Sequence, residues 1–402
     1  MKKLPESGWQ AREGMPALLK ALDAVTGETR YVGGCVRDTL LGIPVSDVDL
    51  ATRLAPEEVI KRLRAAGIKA IPTGLAHGTV TAVLPDGVVE VTTLRRDVST
   101  DGRRATIAYT EDWQEDAARR DFTINALSAD PESGEIYDYF GGLQDLERRR
   151  LRFIGDPLTR IAEDHLRILR FFRFHARFGE GDPDPEALAA CVARANDLMA
   201  LSRERIADEL LKLLALPDPA PTMKLMVDND ILRPVLPEIG EASVGRLADL
   251  VMLEAEAKVA SDPLRRLAAL IPAKPEVAAS VSARLRLSNK ATKRLVSAAS
   301  RDEDEATSPA ILAYRIGAAE AVDRLLLSGS ASDAAALAGW ERPRFRLGGG
   351  DLLEMGLKPG PMVAATLRAV EREWSESGFV EEEAAQRALA RRHVDQALRD
   401  SQ

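Results

Sequence analysis

Cysteine and histidine are scarce in this chain, two and four residues among 402. Cys35 and Cys191 are too few for a disulfide framework and show no zinc-ligand spacing, so a reducing, cytoplasmic compartment is expected. Long apolar runs are also missing. None approaches the length that spans a bilayer, and the opening MKKLPESGWQAREGMPALL lacks the apolar centre of a signal peptide. No membrane partner is expected. No GxxxxGK[ST] occurs, which removes a Walker-type ATPase. There is no internal repeat at fixed period. Positive charge is not in excess either. The net charge of −8 argues against a protein coated in basic residues, although local patches can still serve a nucleic-acid partner.

What remains is an ordinary globular composition, 45% hydrophobic and 29% charged, in a chain long enough for roughly two to four modules. Up to about residue 150, strand and helix signals mix. Arg30–Val32, Asp47–Thr52, Ala76–Leu84 and Val88–Thr93 read as strands, the last two joined by Pro85-Asp86-Gly87, a hairpin signal. Val36–Leu41 reads as a helix closed by Gly42 and Pro44. Pro56 opens another, with Glu57 and Glu58 near the positive end of its dipole. Arg95–Asp112 is polar, carries little periodicity and reads as a long loop. After Pro157 helical periodicity dominates, broken at 217–221, 301–309 and 341–350. The expected division is 1–150, 151–216, 217–340 and 341–402, an α+β head followed by helical modules.

One stretch concentrates unusual chemistry: VGGCVRDTLLGIPVSDVDL, residues 32–50. A Gly-Gly pair alone signals only a tight turn. Followed by Arg37 it offers more, because glycines let phosphates approach backbone amides and arginine holds them by charge-assisted hydrogen bonds. Asp38 reads as a structural partner for that arginine. Asp47 and Asp49 flank Val48, and at a strand period of two their carboxylates share one face. Two anions about 6–7 Å apart repel each other unless a cation lies between them. Alone they could equally be solvated aspartates at a strand edge. Hard oxygen ligands with little else suit Mg²⁺, which binds through one or two carboxylates plus substrate phosphates. Glycines, arginine and Asp-x-Asp together point to nucleotidyl transfer by in-line displacement.

These residues resemble the signature of the polymerase-β-type nucleotidyltransferases, in the branch containing class II CCA-adding enzymes and bacterial poly(A) polymerases. The pattern GGxVRDxLLGxxxxDxDxAT is filled by Gly33, Gly34, Arg37, Asp38, Asp47 and Asp49. The resemblance implies a mixed-sheet head with helical neck, body and tail, and Mg²⁺ on Asp47 and Asp49. Glu90 is the candidate third carboxylate. EDAARRDFTINAL (115–127) is similar to the next family motif and makes Arg120 a nucleotide-binding candidate. Asp121 would tie Arg120 in place or meet the sugar, and Asn125 would satisfy a buried turn. DYFGGLQDL (138–146) resembles a turn that orients head against neck, and LSRERIADELLKLL (201–214) a structural element in which Glu204 and Arg205 pin helices.

RIAEDHLRILRFFRFHARF (160–178), placed on one regular helix, buries a stripe of Ile161, Ile168, Leu169, Phe172 and Ala176. On that helix Asp164, Arg167, Arg170 and Arg173 do not form one flat face. Taken alone, Asp164 and Arg167 are an ordinary i,i+3 surface pair. The stretch resembles the EDxxRxxRxxRF template of CCA-adding enzymes. That implies base selection by Asp164 and Arg167, with Arg170 and Arg173 serving phosphates, orienting Arg167 or touching RNA. Cytosine and adenine share an exocyclic amine beside a ring-nitrogen acceptor, whereas guanine and uracil present a carbonyl and a ring N–H there.

HGTVTA, EVTTLRRDVSTDGR and TEDW favour the CCA-adding branch, with 100–109 as the loop tied to the switch from C to A. His77, His165, His175 and His393 include no His-Asp doublet, so no accompanying phosphohydrolase is expected. A late segment, 347–374, resembles a recurring C-terminal piece of these enzymes. The expected activity is template-independent addition of CCA to tRNA from CTP and ATP with Gly34, Arg37 and Arg120 at the triphosphate and sugar. The tail is expected to touch tRNA, and no obligate protein partner is implied. The alternatives are a poly(A) polymerase, a partial CC- or A-adding enzyme, and a non-catalytic RNA-binding protein.

Overall fold

The computed structural model describes residues 2–101, 104–300 and 308–400, and the side chains of 97–106 stand outside the described set. The tip of the 100–109 segment and most of the break at 301–309 therefore lie outside the described residues. The backbone divides into two compact units, Met1–Val244 and Gly245–Gln402.

In the first unit, α1 (Met15–Ala21) precedes β1 (Thr29–Val32), α2 (Gly34–Leu40), β2 (Val48–Thr52), α3 (Pro56–Ala65), β3 (Lys69–Gly74), β4 (Thr79–Leu84) and β5 (Gly87–Thr93). Period-two burial explains β5: Val89, Val91 and Thr93 are buried while Val88 and Glu90 are exposed. With β8 (Ser128–Ala129) and β9 (Ile136–Tyr137), these strands form a seven-stranded sheet of order β3-β4-β5-β2-β1-β8-β9. β2 runs parallel to β5, in a register that sets Asp49 opposite Glu90. The β1–α2 turn requires glycine. Gly33 has φ 70°, and a Cβ there would stand 3.0 Å from Arg120 Nη1.

Residues 95–112 are not one long loop. β6 (Arg95–Asp101) and β7 (Arg104–Tyr109) pair antiparallel as a separate two-stranded ribbon, with a bulge between Asp97 and Ser99. A ribbon held by its own backbone ladder needs no apolar alternation, so the polar sequence gave no strand signal. α4 (Trp113–Ala118) follows, capped by Asp112, whose side chain accepts from Gln114 N–H.

Beyond β9 the described chain is helical. α5 (Gly142–Glu147) starts where Asp138 accepts the N–H groups of Phe140, Gly142 and Leu143. Gly142 lies so close to the Thr123 carbonyl that a Cβ would stand 2.3 Å from its oxygen. The DYFGGLQDL turn thus docks against the RRDFTINAL segment.

The 160–178 stretch is two helices, which corrects the single-helix expectation. α6 (Pro157–Glu163) ends at Asp164, whose backbone is extended at φ −152°, and α7 (Arg167–Phe178) starts three residues later. The break is local chemistry: Asp164 Oδ1 accepts from Leu166 N–H at 3.1 Å, an Asx-type turn that competes with the helix. α7 buries Ile168, Leu169, Phe171, Phe172, Phe174 and Phe178. Phe122 meets Phe174 with ring centroids 5.3 Å apart, so the RRDF motif and α7 share one core. α8 (Pro185–Ala193), α9 (Arg203–Leu214) and α10 (Ala220–Asp228) complete the unit before the helix that crosses its boundary.

The second unit is helical throughout its described residues. One of its cores gathers Leu312, Leu326 and Ala334, another Leu352, Trp374 and Val394.

Candidate active site

A cavity of about 580 Å³ opens in the first unit, lined by Gly33, Gly34, Arg37, Asp38, Ser46, Asp47, Asp49, Arg120, Asp121, Asn125, Asp164, Arg167, Arg170, Phe174 and Arg177. Eight of the nine residues singled out from the sequence are among them, and Arg173 is not. At about 100° per residue, Arg167, Arg170, Phe174 and Arg177 keep to one side of α7, while Arg173 turns away from it. Its Nε donates to Glu209 Oε2 at 2.6 Å.

Asp47 stands just before β2 and is exposed, with Ser46 Oγ donating to its Oδ2 at 2.8 Å. Asp49 is half-buried on the strand. Burial pushes its carboxyl up to about 6; Arg120 pulls it down, and Glu90 and Asp47 push it further up. Three carboxylates therefore feel one another. Among the described residues, however, no three His, Cys, Asp or Glu side chains are placed to hold one ion together, so Glu90 does not complete a three-carboxylate cluster here. The donor set facing the cavity is Asp47 and Asp49, two hard oxygen ligands under mutual repulsion, which suits a small divalent cation.

Cations on the opposite walls are held by carboxylates. Arg37 is 5% exposed and donates through Nε to Asp38 Oδ1 at 2.7 Å and through Nη1 to Asn125 Oδ1. Burial lowers its pKa, against the support of Asp38. Asn125 Nδ2 donates to Asp121 Oδ1 at 2.9 Å, and Arg170 donates through Nε and Nη2 to Asp121 Oδ2 at 2.8 and 2.6 Å. Burial would raise the Asp121 carboxyl, but Arg170 and the Asn125 and Phe122 N–H donors bring it below the ordinary range. Arg170 Nη1 also lies 3.6 Å from Glu209 Oε1. One chain of contacts thus runs from α9 through α7 and the RRDFTINAL segment to α2.

Arg120 is the loosest of these arginines. Its contacts to Asp116 (3.3 Å) and to the Asn125 carbonyl (3.5 Å) are long.

Asp164 and Arg167 both reach the cavity but do not pair with each other. Arg205 Nη2 donates to Asp164 Oδ2 at 2.7 Å. Arg167 Nη1 donates to the Arg160 carbonyl at 2.7 Å and to Glu163, and Nη2 to the Arg119 carbonyl at 3.3 Å. Its Nε–H and one Nη2–H make no hydrogen bond among the described residues. Those two hydrogens form one edge of the guanidinium fork. Arg160 in turn donates to the Arg119 and Arg120 carbonyls at 2.7 and 2.5 Å.

Sequence reasoning overlooked Arg177 and Phe174 on the cavity wall, and Arg160 and Glu209 behind it. Arg177 was legible as the residue seven beyond Arg170 on the same helical stripe. Glu209, 4% exposed, gave no local signal, because its partners stand 36 and 39 positions away.

Residues 29–152 match the Poly A polymerase head domain, and residues 182–242 match the probable RNA and SrmB-binding site of polymerase A. The chain is 34% identical over 386 residues to the human mitochondrial CCA tRNA nucleotidyltransferase 1, covering 91% of this chain and 87% of that protein. It is 43% identical over 208 residues to a CCA-adding enzyme of Streptococcus gordonii, about half of each chain. Its fold superposes on the Bacillus stearothermophilus CCA-adding enzyme solved with CTP at a TM-score of 0.74, with 25% identity and coverage of 96% and 98%. With its glycine turn, paired aspartates and arginine-lined cavity, the chain belongs to the CCA tRNA nucleotidyltransferase family.

Proposed function

We propose that this protein adds C, C and A stepwise to the 3′ end of tRNA from CTP and ATP, releasing pyrophosphate, without a nucleic-acid template. The observation that carries this reading is the convergence in one cavity of Asp47 and Asp49 with Asp164 and Arg167, more than a hundred positions away in sequence.

Asp47 and Asp49 hold a divalent cation, with Mg²⁺ as the ion. When bound, it supplies Lewis-acid stabilisation of the reacting phosphate and lowers the pKa of the attacking 3′-hydroxyl. The turn at Gly33 and Gly34 leaves room for the triphosphate, and Arg37 and Arg120 neutralise it by charge-assisted hydrogen bonds. Arg120, the less committed of the two, shifts toward phosphate or sugar at lower cost.

Base choice rests on Asp164 and Arg167. Asp164 accepts from the exocyclic amine of cytosine or adenine, and the open Nε–Nη2 edge of Arg167 donates to the ring nitrogen beside it. Guanine or uracil would set carbonyl against carboxylate and N–H against guanidinium, a costly mismatch in a buried site. Arg205 fixes Asp164, and Glu163 with the Arg160 and Arg119 carbonyls fixes Arg167. Arg170 reaches the nucleotide directly. Arg173 acts through Glu209, which it shares with Arg170, as a positioning residue.

Head (1–150), neck (151–216), body (217–340) and tail (341–402) remain the proposed functional modules. We place the reaction in the cytoplasm, consistent with two free buried cysteines. No described helix is long and apolar enough to cross a membrane.

The test is one incubation series with Mg²⁺. It uses tRNA ending at the discriminator base, at C or at CC, with each nucleoside triphosphate alone and with CTP plus ATP. Growth by three nucleotides followed by a stop is expected. A long adenosine ladder would mean a poly(A) polymerase, and addition limited to CC or the last A a partial enzyme. Absence of addition with tight tRNA binding would overturn the catalytic reading.

A further inference from the structure

A second cavity, of about 640 Å³, lies wholly in the unit Gly245–Gln402. Its lining is Tyr314, Arg315, Arg342, Arg368, Glu371, Arg372 and Ser375. Three separate stretches supply the four arginines. Arg315 stands near the end of the helix Pro309–Ile316, Arg342 in the extended segment after Trp340, and Arg368 and Arg372 on the helix Pro361–Glu376. On that last helix positions 368, 372 and 375 share one stripe.

All four arginines are exposed, and none lies within ion-pair distance of a carboxylate among the described residues. The one acid in the lining, Glu371, accepts from the Tyr314 hydroxyl at 2.5 Å. Arg342 lies over the Tyr314 ring, 4.6 Å from its centroid. Elsewhere in the same unit arginines find acids readily: Arg387 pairs with Asp351 and Glu383, Arg392 with Glu373, and Arg265 and Arg294 with Asp323. In a chain of net charge −8, four unpaired guanidiniums around one cavity are therefore not a general excess of base. Gathered without counter-charge they repel one another, a cost that a bound polyanion removes. Planar forked donors on several sides match phosphate oxygens better than single point charges would.

We propose that this cavity binds backbone phosphates of the tRNA substrate outside its reacting 3′ end. The inference rests on the tRNA reading above, because the 3′ end itself belongs to the cavity built on Gly33 to Arg177. Recognition here is of phosphate charge and spacing, independent of sequence.

The experiment compares the full chain with its R368E/R372E and R368K/R372K variants. It measures tRNA binding at several salt concentrations and steady-state addition of C. Charge reversal is expected to weaken tRNA binding at least about tenfold and to reduce the salt slope by about two. KM for CTP, and kcat at saturating tRNA, should stay at wild-type values. The lysine variant should bind nearly as well as wild type, which separates lost charge from lost folding. Unchanged tRNA affinity and slope in R368E/R372E would overturn the proposal. So would tight, charge-dependent binding of poly-glutamate with unchanged tRNA affinity, since the cavity would then serve an acidic polypeptide. The two readings fail separately. If the wild-type chain adds no nucleotide yet charge reversal weakens tRNA binding, the cavity assignment stands and the catalytic one falls.

Discussion

The two arginine-lined cavities differ in what holds their cations. Around the cavity between Gly33 and Arg177, most guanidiniums have assigned partners: Arg37 with Asp38 and Asn125, Arg167 with Glu163, Arg170 with Asp121 and Glu209. Around the cavity at Tyr314, none of the four has a carboxylate. The first arrangement fixes side chains before a ligand arrives, as discrimination between similar bases demands. The second leaves long side chains free to follow a repetitive, charged ligand. Pairing therefore separates a site that chooses from a surface that attracts.

Removing the metal-site carboxylates should break the comparison most severely. Asp47→Ala and Asp49→Ala are each expected to abolish nucleotide addition while tRNA affinity, measured by filter binding, stays unchanged. Normal addition by either variant would refute the metal assignment. Next in size, Arg167→Ala should lower discrimination of CTP and ATP against UTP and GTP by about two orders of magnitude, read from kcat/KM for each nucleotide. Unchanged selectivity would end the base-reading role. Salt sharpens the contrast further. Between 50 and 200 mM salt, tRNA affinity should fall by at least about tenfold, while C-over-U selectivity at saturating tRNA should not move, because buried, paired groups are little screened.

Arg205→Ala should act more mildly. It leaves Asp164 in place without its 2.7 Å partner, so kcat/KM for CTP and ATP should drop about tenfold, with partial rescue by lysine. Equal loss with all four nucleotides would mean a structural role only.

The smallest effect concerns stability. The Asp49 carboxyl is raised to about 6 in the fold against an ordinary value of 3.8. Between those values the folded state keeps a proton that the unfolded chain has released, so stability falls as pH rises through this window. Asp49→Asn should therefore raise Tm at pH 7, by about 1 kcal/mol after allowing for solvent screening, and should lose that advantage near pH 4. Added Mg²⁺ should narrow the gap by stabilising the wild type. A variant no more stable than wild type at neutral pH would show that the carboxylate pair carries no such stress.

Much of the first cavity was legible in the sequence. Its parts are short and local: a glycine turn, an arginine three residues on, and two aspartates two apart on a strand. Such spacings translate directly into geometry, because a strand repeats every two residues and a helix about every 3.6. The same rule, applied across 160–178 as one helix, misplaced part of the α7 face. Asp164 spends its side chain on the Leu166 N–H and breaks the helix, and that competition depends on where Arg205 waits to hold the other oxygen. The ribbon at 95–109 was missed for a different reason, since its pairing is backbone to backbone and leaves no apolar pattern.

By itself, then, the sequence determined the head's strand and helix order, the glycine turn and the carboxylate pair, because these follow from neighbours within a few positions. Only the tertiary structure decided which acid holds which arginine. Glu209 reaches Arg173 across 36 positions and Arg205 reaches Asp164 across 41. Packing alone brought Arg315, Arg342, Arg368 and Arg372 together with no acid to share. A guanidinium's charge is written in the chain, but its partner is whichever carboxylate the core places within reach.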